Sequence, residues 1–76
     1  MSELSKKINK LLKLATKSEV QEIKDKIYIS EHLEEVFNLF YIQKQDIEFI
    51  AYKTGYSIPK INQDLKLIRE KINKLL

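Results

Sequence analysis

Apolar residues in the first seventeen positions recur with the period of an α-helix. The apolar face comprises Leu4, Ile8, Leu11, Leu12 and Ala15, and the opposite face carries Lys6, Lys10, Lys13 and Lys17. The apolar phase changes after this stretch, because Val20, Ile23 and Ile27 lie on a different arc. Ser18 and Gln21 match the spacing of a capping box, so we expect a second helix from Ser18 to about Lys26.

The centre of the chain is predicted to be a buried helix that follows a short connection. Residues 27–30, Ile-Tyr-Ile-Ser, are mostly β-branched or aromatic, which favours a connection over a helix interior. Ser30 is a suitable N-cap, and Glu31 and Glu34 follow in the first turn, where the helix dipole favours acidic residues. The helix is apolar nearly all round and should be central; its apolar residues are Leu33, Val36, Phe37, Leu39, Phe40, Tyr41 and Ile42. We expect five aromatic residues in the core, namely Tyr28, Phe37, Phe40, Tyr41 and Phe49.

The only glycine of the chain, Gly55, and its only proline, Pro59, lie close together. Asp46 is a suitable N-cap for a short helix from Ile47 to about Lys53, and Gly55 supplies the left-handed residue that ends it. Ser57 then caps the last helix, in whose first turn the missing N–H of Pro59 is no loss. An apolar stripe follows the last helix to the end of the chain: Ile58, Ile61, Leu65, Ile68, Ile72 and Leu75.

These elements predict a single all-α domain, a small bundle of about five helices with a C-terminal helix-turn-helix and a long last helix, without a wing. Residues 1–45 are expected to form a helical support and dimerisation part, and residues 46–76 the helix-turn-helix. Ala51 is small where the two helices of this unit approach each other, and Ile61 points into the angle between them. Ile47 and Ile50 supply the remaining core contacts.

Composition narrows the class of protein. The 76 residues are 43% hydrophobic and 33% charged, which suits a folded domain rather than a disordered tail. The chain has no cysteine, so it has no disulfide and no thiolate metal site. No apolar run approaches the length of a membrane span, and the N-terminus lacks the apolar core of a signal peptide. We therefore expect a cytoplasmic protein.

The charge of the chain alternates in three blocks. Residues 1–17 contain five lysines and one glutamate, whereas residues 18–35 contain six acidic residues and two lysines. Residues 36–76 contain seven basic and four acidic residues, and this block includes the predicted helix-turn-helix. The net charge alone says little about partners, whereas its placement says more. The small excess of lysine on the last helix also fits a merely solvated face, because Glu70 shares that face.

Signals for catalysis are weak. His32, the only histidine, is interpreted as a surface residue in a first helical turn, because no set of matching metal ligands accompanies it. Glu34 and Glu35 are adjacent and point apart on a helix, so they do not form an acid–base pair. A single glycine cannot build a phosphate-binding loop. We expect neither an enzyme activity nor a metal or cofactor.

The stretch Thr-Gly-Tyr-Ser-Ile-Pro-Lys-Ile-Asn-Gln-Asp-Leu-Lys-Leu-Ile resembles a known motif. It is similar to the G-x-S-x-x-x-I-x-x-D-L-x-x-[LI] run in the helix-turn-helix of DeoR-type repressors. The stretch from Asp46 to Ser57 also resembles the D-I-x-x-I-A-x-x-T-G-x-S opening found in region 4 of sigma factors. The resemblance covers roughly residues 46–70 and implies sequence-specific binding of duplex DNA, with the last helix in the major groove.

The sequence departs from the DeoR pattern in two respects. DeoR-type domains continue into a β-hairpin wing, whereas here the helical pattern runs to Leu76, and we expect no effector domain after it. The basic pair that precedes the aspartate in that family is Asn62-Gln63 in this chain, which implies weaker contacts to phosphates.

The polar face of the last helix supplies candidate DNA contacts. Asn62 and Gln63 can pair bidentately with adenine, and no arginine is near them to read guanine, so we expect an A·T-leaning site. Ser57 and the helix N-terminus can bind a phosphate. The full set of predicted DNA-binding residues is Lys53, Tyr56, Ser57, Pro59, Lys60, Asn62, Gln63 and Lys66, with Tyr52, Lys71 and Lys74 as further candidates for backbone contacts. Asp64 is assigned a structural role, paired with Lys60 one turn before it.

The resulting hypothesis is a small transcriptional regulator of the kind that mobile elements carry, acting as a homodimer on a palindrome. The predicted dimer contacts are Leu14, Leu67, Ile72, Leu75 and Leu76. The alternative is a helical protein–protein interaction module that binds a transcription protein without contacting DNA. A third interpretation is a membrane-surface protein, because the first helix is basic and amphipathic, although packing of this helix onto the domain is favoured.

Overall fold

The computed structural model describes residues 3–75, with side chains from residue 6 onward. Within this range there are five α-helices: α1 (Glu3–Leu14), α2 (Lys17–Lys26), α3 (Glu31–Phe37), α4 (Ile47–Thr54) and α5 (Ile58–Leu75). A π-helical segment, Asn38–Ile42, continues α3 directly, and no strand occurs among the described residues. The expected all-α class with a long last helix is therefore confirmed. None of these helices combines the length and the apolar character needed to cross a membrane.

The junction between α1 and α2 differs from the prediction by two residues. The N-cap of α2 is Thr16, not Ser18, and Glu19 rather than Gln21 completes the capping box. The Thr16 hydroxyl accepts the Glu19 backbone N–H at 3.2 Å, and the Glu19 carboxylate accepts the Thr16 backbone N–H at 3.0 Å. Hydrogen bonding from Thr16 to the Glu19 carboxylate, first of all from the Thr16 backbone N–H, lowers the pKa of Glu19. Both residue pairs have the spacing of a capping box, and a carboxylate is the stronger acceptor of the two candidate partners.

The predicted central helix begins as expected but changes its geometry halfway. Ser30 is the N-cap of α3, and its hydroxyl accepts the backbone N–H of Leu33 at 3.3 Å. In the π-helical segment the backbone N–H of Gln43 donates to the carbonyl oxygen of Asn38 at 2.9 Å. Lys44, two residues after the end of the segment, has a positive φ of 58°, and its Nζ donates to the Leu12 carbonyl oxygen at 3.4 Å. Lys44 thus links the end of α3 and its π-helical extension to the end of α1.

The hydrophobic core lies around α5, which packs against α1, α3 and α4. Its fully buried members come from α1, α2, α3, α4 and α5 and are Ile8, Leu12, Val20, Val36, Phe37, Ile50, Ile61, Leu65, Ile68 and Ile72. Leu33, Leu39 and Tyr41 are also buried, so the predicted central position of the third helix is confirmed. Because α5 contacts three other helices, its inner face is held along most of its length.

Several apolar side chains lie further from the core than predicted. Tyr28 is 93% exposed. The connection between α2 and α3 is extended, so successive side chains point to opposite sides, and Ile27 and Ile29 point inward while Tyr28 points outward. Phe49 is 40% exposed, since it lies about 100° around α4 from the buried Ile50. Leu11 is also partly exposed, next to the buried Leu12. The predicted core positions of Phe37 and Tyr41 are confirmed, and Phe40 is half-buried.

Candidate nucleic-acid interface

Helices α4 and α5 are joined by a tight turn at Gly55–Ser57. Asp46 caps α4 as predicted, and its carboxylate accepts the Phe49 backbone N–H at 2.7 Å. Gly55 ends the helix in the left-handed conformation with φ of 80°, and its N–H donates to the Ala51 carbonyl oxygen at 3.0 Å. The turn therefore requires the one residue type that adopts this φ without strain.

Ser57 begins α5 as predicted. Its hydroxyl accepts the backbone N–H of Lys60 at 3.3 Å, and its carbonyl oxygen accepts the backbone N–H of Ile61 at 3.1 Å. Pro59 lies in the first turn of the helix, where it removes no intrahelical hydrogen bond. The N-terminal turn of α5 is exposed, so the positive end of the helix dipole faces solvent there.

The inner and outer faces of α5 are clearly separated in its first half. Ile61 and Leu65 are buried against the core, whereas Asn62, Gln63 and Lys66 are exposed. All eight residues predicted to contact DNA are exposed: Lys53, Tyr56, Ser57, Pro59, Lys60, Asn62, Gln63 and Lys66. Seven of them belong to the turn or to the first half of α5, and Lys53 lies in the last turn of α4. The arrangement presents amide and ammonium groups on one exposed side of the helix.

Lys53 has a more acidic setting than the sequence indicated. It lines a surface depression together with three carboxylate side chains of α3, those of Glu31, Glu34 and Glu35. These carboxylates would repel a phosphate that approached Lys53 from this side. The remaining cationic candidates near the start of α5 are Lys60 and Lys66.

Asp64 lies on the inner side of α5 and is 3% exposed. Its Oδ1 atom lies 3.0 Å from the Nζ atom of Lys60, so the predicted pair one turn apart is confirmed. Its Oδ2 atom lies 2.5 Å from the Nε2 atom of His32, in the first turn of α3. The His32 ring also packs against the Tyr56 ring, with ring centroids 4.5 Å apart.

The interpretation of His32 as a plain surface residue is wrong. Its side chain is only 26% exposed, and it connects α3 to α5 through Asp64. A sequence signal for this contact existed, because an aspartate at the edge of an apolar stripe needs hydrogen-bond partners once it is buried. The partner itself could not be read from local spacing, because His32 is 32 positions away in the chain. Among the described residues, no group of three or more potential ligands could hold a metal ion.

The residues predicted to form dimer contacts have different environments. Leu14 is 77% exposed, Leu67 is 43% exposed and Leu75 is 40% exposed, so these three can contact a partner. Ile72 is fully buried in the core, where it faces inward with Leu65 and Ile68, so its assignment to a dimer contact is wrong. Leu76 lies outside the described residues.

Comparison with known proteins does not place the chain in a family. No protein-family model matches the sequence, and no curated protein or solved structure matches it at a significant level.

Proposed function

We propose that this chain is a small sequence-specific DNA-binding protein that regulates transcription in the cytoplasm. In this proposal the first half of α5 enters the major groove of duplex DNA. The observation that supports it best is the separation of faces on α5, where Asn62, Gln63 and Lys66 are exposed while Ile61 and Leu65 anchor the helix. An anchored helix with an exposed amide-bearing face is the arrangement by which helix-turn-helix proteins read base edges.

The chemistry of the exposed side chains suggests what each one does on DNA. Asn62 and Gln63 can each donate to and accept from the N6/N7 edge of adenine, which supports an A·T-leaning site. Lys66 and the exposed N-terminus of α5, with Ser57, can contact phosphates, which fix the position of the helix without reading sequence. Tyr52 is 87% exposed at the surface of α4 and can reach a backbone phosphate with its hydroxyl.

A single unit of this size makes few contacts, so we propose that two copies bind together. Two recognition helices must then lie ~34 Å apart, one turn of DNA, on a palindromic site. The exposed leucines Leu14, Leu67 and Leu75 are candidate contacts between the copies. Sedimentation of the DNA complex measures the number of copies directly, and a single copy on a single half-site would contradict this part of the proposal.

Selection from a pool of random-sequence duplexes, at two salt concentrations, tests DNA binding. Enrichment of a common A·T-leaning sequence is expected, with weaker binding at the higher salt concentration because Lys contacts release counterions. The variants Asn62→Ala and Gln63→Ala should relax the sequence preference. Lys66→Ala should weaken binding to all sequences about equally and reduce the slope of log K against log salt by about one. Lys17→Ala, which removes the same charge at an exposed position outside the α4–turn–α5 region, is the matched control and should bind like the wild type.

The second candidate function is a protein–protein interaction module that binds a transcription protein. Two observations favour it: the exposure of large apolar side chains, above all Leu14 and Tyr28, and the acidic setting of Lys53. Exposed aromatic residues are frequent at protein interfaces. If no duplex is enriched at either salt concentration, the DNA-binding proposal is overturned and this alternative is favoured.

A further inference from the structure

Lys60 can pair with either of two anionic groups, the buried carboxylate of Asp64 or a phosphate of bound DNA. Its Nζ atom lies 3.0 Å from the buried carboxylate of Asp64, yet its side chain is 44% exposed in the first turn of α5. In the proposed DNA complex this turn approaches the phosphate backbone. A lysine that leaves Asp64 for a phosphate exchanges one charged hydrogen bond for another.

The exchange removes the positive charge of Lys60 from the Asp64 carboxylate. A buried carboxylate that loses its cationic partner is strongly disfavoured unless another group compensates its charge. The second partner of Asp64 is His32, whose Nε2 atom lies 2.5 Å from Oδ2. A neutral imidazole supplies one hydrogen bond, whereas an imidazolium supplies the hydrogen bond and a full positive charge.

Unlike Lys60, His32 is not free to follow the DNA. Its side chain is 26% exposed, and its ring packs on the ring of Tyr56 at 4.5 Å between centroids. It therefore stays beside Asp64 when Lys60 moves. We propose that His32 is a positioning residue of the DNA-binding site, and that its protonation releases Lys60 from Asp64 to a DNA phosphate, so that binding of duplex DNA takes up a proton.

This inference depends on the proposed function. The direction in which pH changes the affinity for DNA follows from the coupling of proton uptake to binding. If the complex holds more protons than the free protein and free DNA, lowering the pH must strengthen binding. One proton can change the dissociation constant by at most about tenfold per pH unit. We expect a tightening of roughly three- to tenfold between about pH 8 and about pH 6, where imidazole side chains ordinarily change charge.

The groups around His32 and the composition of the chain limit which other groups could cause a pH dependence of DNA binding. From α5, Asp64 contacts His32 and also binds Lys60, and from the turn the Tyr56 ring packs against the imidazole. On its own helix the other charged residues are Glu31, Glu34 and Glu35, which line a surface depression together with Lys53 of α4. Histidine is the side-chain type that ordinarily changes charge between about pH 6 and about pH 8, and cysteine titrates just above this range. The chain has no second histidine and no cysteine. The α-amino group also titrates near this range, and a variant of His32 separates the two.

The experiment measures the affinity of the full chain for its selected duplex by fluorescence anisotropy across this pH range, at constant ionic strength. His32→Gln is the principal variant, because glutamine keeps a donor toward Asp64 but cannot become a cation. It should bind with an affinity that does not change with pH. Lys60→Gln should also lose the pH dependence, because no lysine is left to be released, and its salt slope should fall by about one. Circular dichroism and urea unfolding establish that both variants are folded.

A second measurement needs no variant. An NMR titration of the His32 ring protons, with and without the duplex, should show the midpoint of protonation at a higher pH in the complex. A wild-type affinity that is the same from about pH 6 to about pH 8, or an unchanged midpoint, would overturn the inference while leaving DNA binding intact. A pH dependence that persists in His32→Gln would assign the proton to another group and overturn it as well. If no duplex binds at any pH, the proposed function fails, and this inference fails with it.

Discussion

The Nε2 atom of His32 lies 2.5 Å from the Oδ2 atom of Asp64, although the two residues are 32 positions apart. The contact joins the first turn of α3 to the inner side of α5. The second oxygen of the same carboxylate holds Lys60 at the exposed start of α5. One buried carboxylate therefore connects a support helix to a side chain on the proposed DNA-binding surface.

Replacement of Asp64 by asparagine should destabilise the fold. The amide has nearly the same shape, but its NH₂ group cannot accept a hydrogen bond from Lys60 or His32, and its charge no longer attracts either. We expect a loss of about 1–3 kcal/mol in the free energy of unfolding, measured by urea titration. Glu70→Gln, which changes an exposed carboxylate on the same helix, is the control and should stay within about 0.5 kcal/mol of the wild type. Equal stability of the two variants would contradict a structural role for Asp64.

The two candidate caps of α2 can be compared by alanine substitution. Thr16→Ala should lower the free energy of unfolding by about 1 kcal/mol, because the Thr16 hydroxyl accepts the backbone N–H of Glu19 in the first turn. Ser18→Ala, two residues later, should change it by less than about 0.5 kcal/mol, since Ser18 is exposed within the helix. Chemical unfolding of both variants checks this, and the reverse order of effects would show that the helix begins at Ser18.

Gly55 provides a test of the turn between α4 and α5. Nothing lies within 4 Å of the position that a Cβ atom would occupy, so the cost of Gly55→Ala comes from its φ of 80° alone. We expect a destabilisation of about 1–2 kcal/mol. Gly55→Asn should cost less, because asparagine tolerates the left-handed conformation better than alanine does. Thermal unfolding of the two variants gives the comparison, and an alanine variant as stable as the wild type would exclude a left-handed turn here.

Tyr41 should make the fold sensitive to alkaline pH. Burial raises the pKa of its phenol above the ordinary value of 10.0, and Arg69 offsets part of this rise. Because the folded-state pKa is higher than the unfolded one, the contribution to stability is complete below the ordinary value and is lost as pH rises through the raised value. The free energy of unfolding of the wild type should therefore fall more steeply than that of Tyr41→Phe above about pH 10.

At neutral pH the same Tyr41→Phe variant should be about 1 kcal/mol less stable than the wild type. It lacks the hydroxyl group that in the wild type donates to Asn9 Oδ1 at 3.1 Å. Tyr52→Phe is the control, because Tyr52 is 87% exposed, and it should keep the alkaline behaviour of the wild type. Parallel alkaline curves for the wild type and Tyr41→Phe would rule out a contribution from this phenol. Urea unfolding at several pH values provides both measurements.

The helix ends were predictable where a single local signal was present. Ser30, Asp46, Gly55 and Ser57 each end or begin a helix as expected, because a cap acts on backbone groups three or four residues away. The start of α2 was misassigned, since two capping-box patterns overlap there and spacing alone does not choose between them. The π-helical segment was not predicted either, because an apolar run has no local signal that separates it from an α-helix.

The amino-acid sequence by itself determined the all-α class, most helix boundaries and the outward face of α5, because these depend on periodicity and on short-range hydrogen bonds. Only the tertiary structure decided what the helices bring together. It placed His32 against Asp64, set Lys53 among glutamates, buried Ile72 and turned Tyr28 toward solvent. Contacts between helices depend on how whole faces pack, and the spacing of residues along one helix carries no information about which distant side chain will meet it.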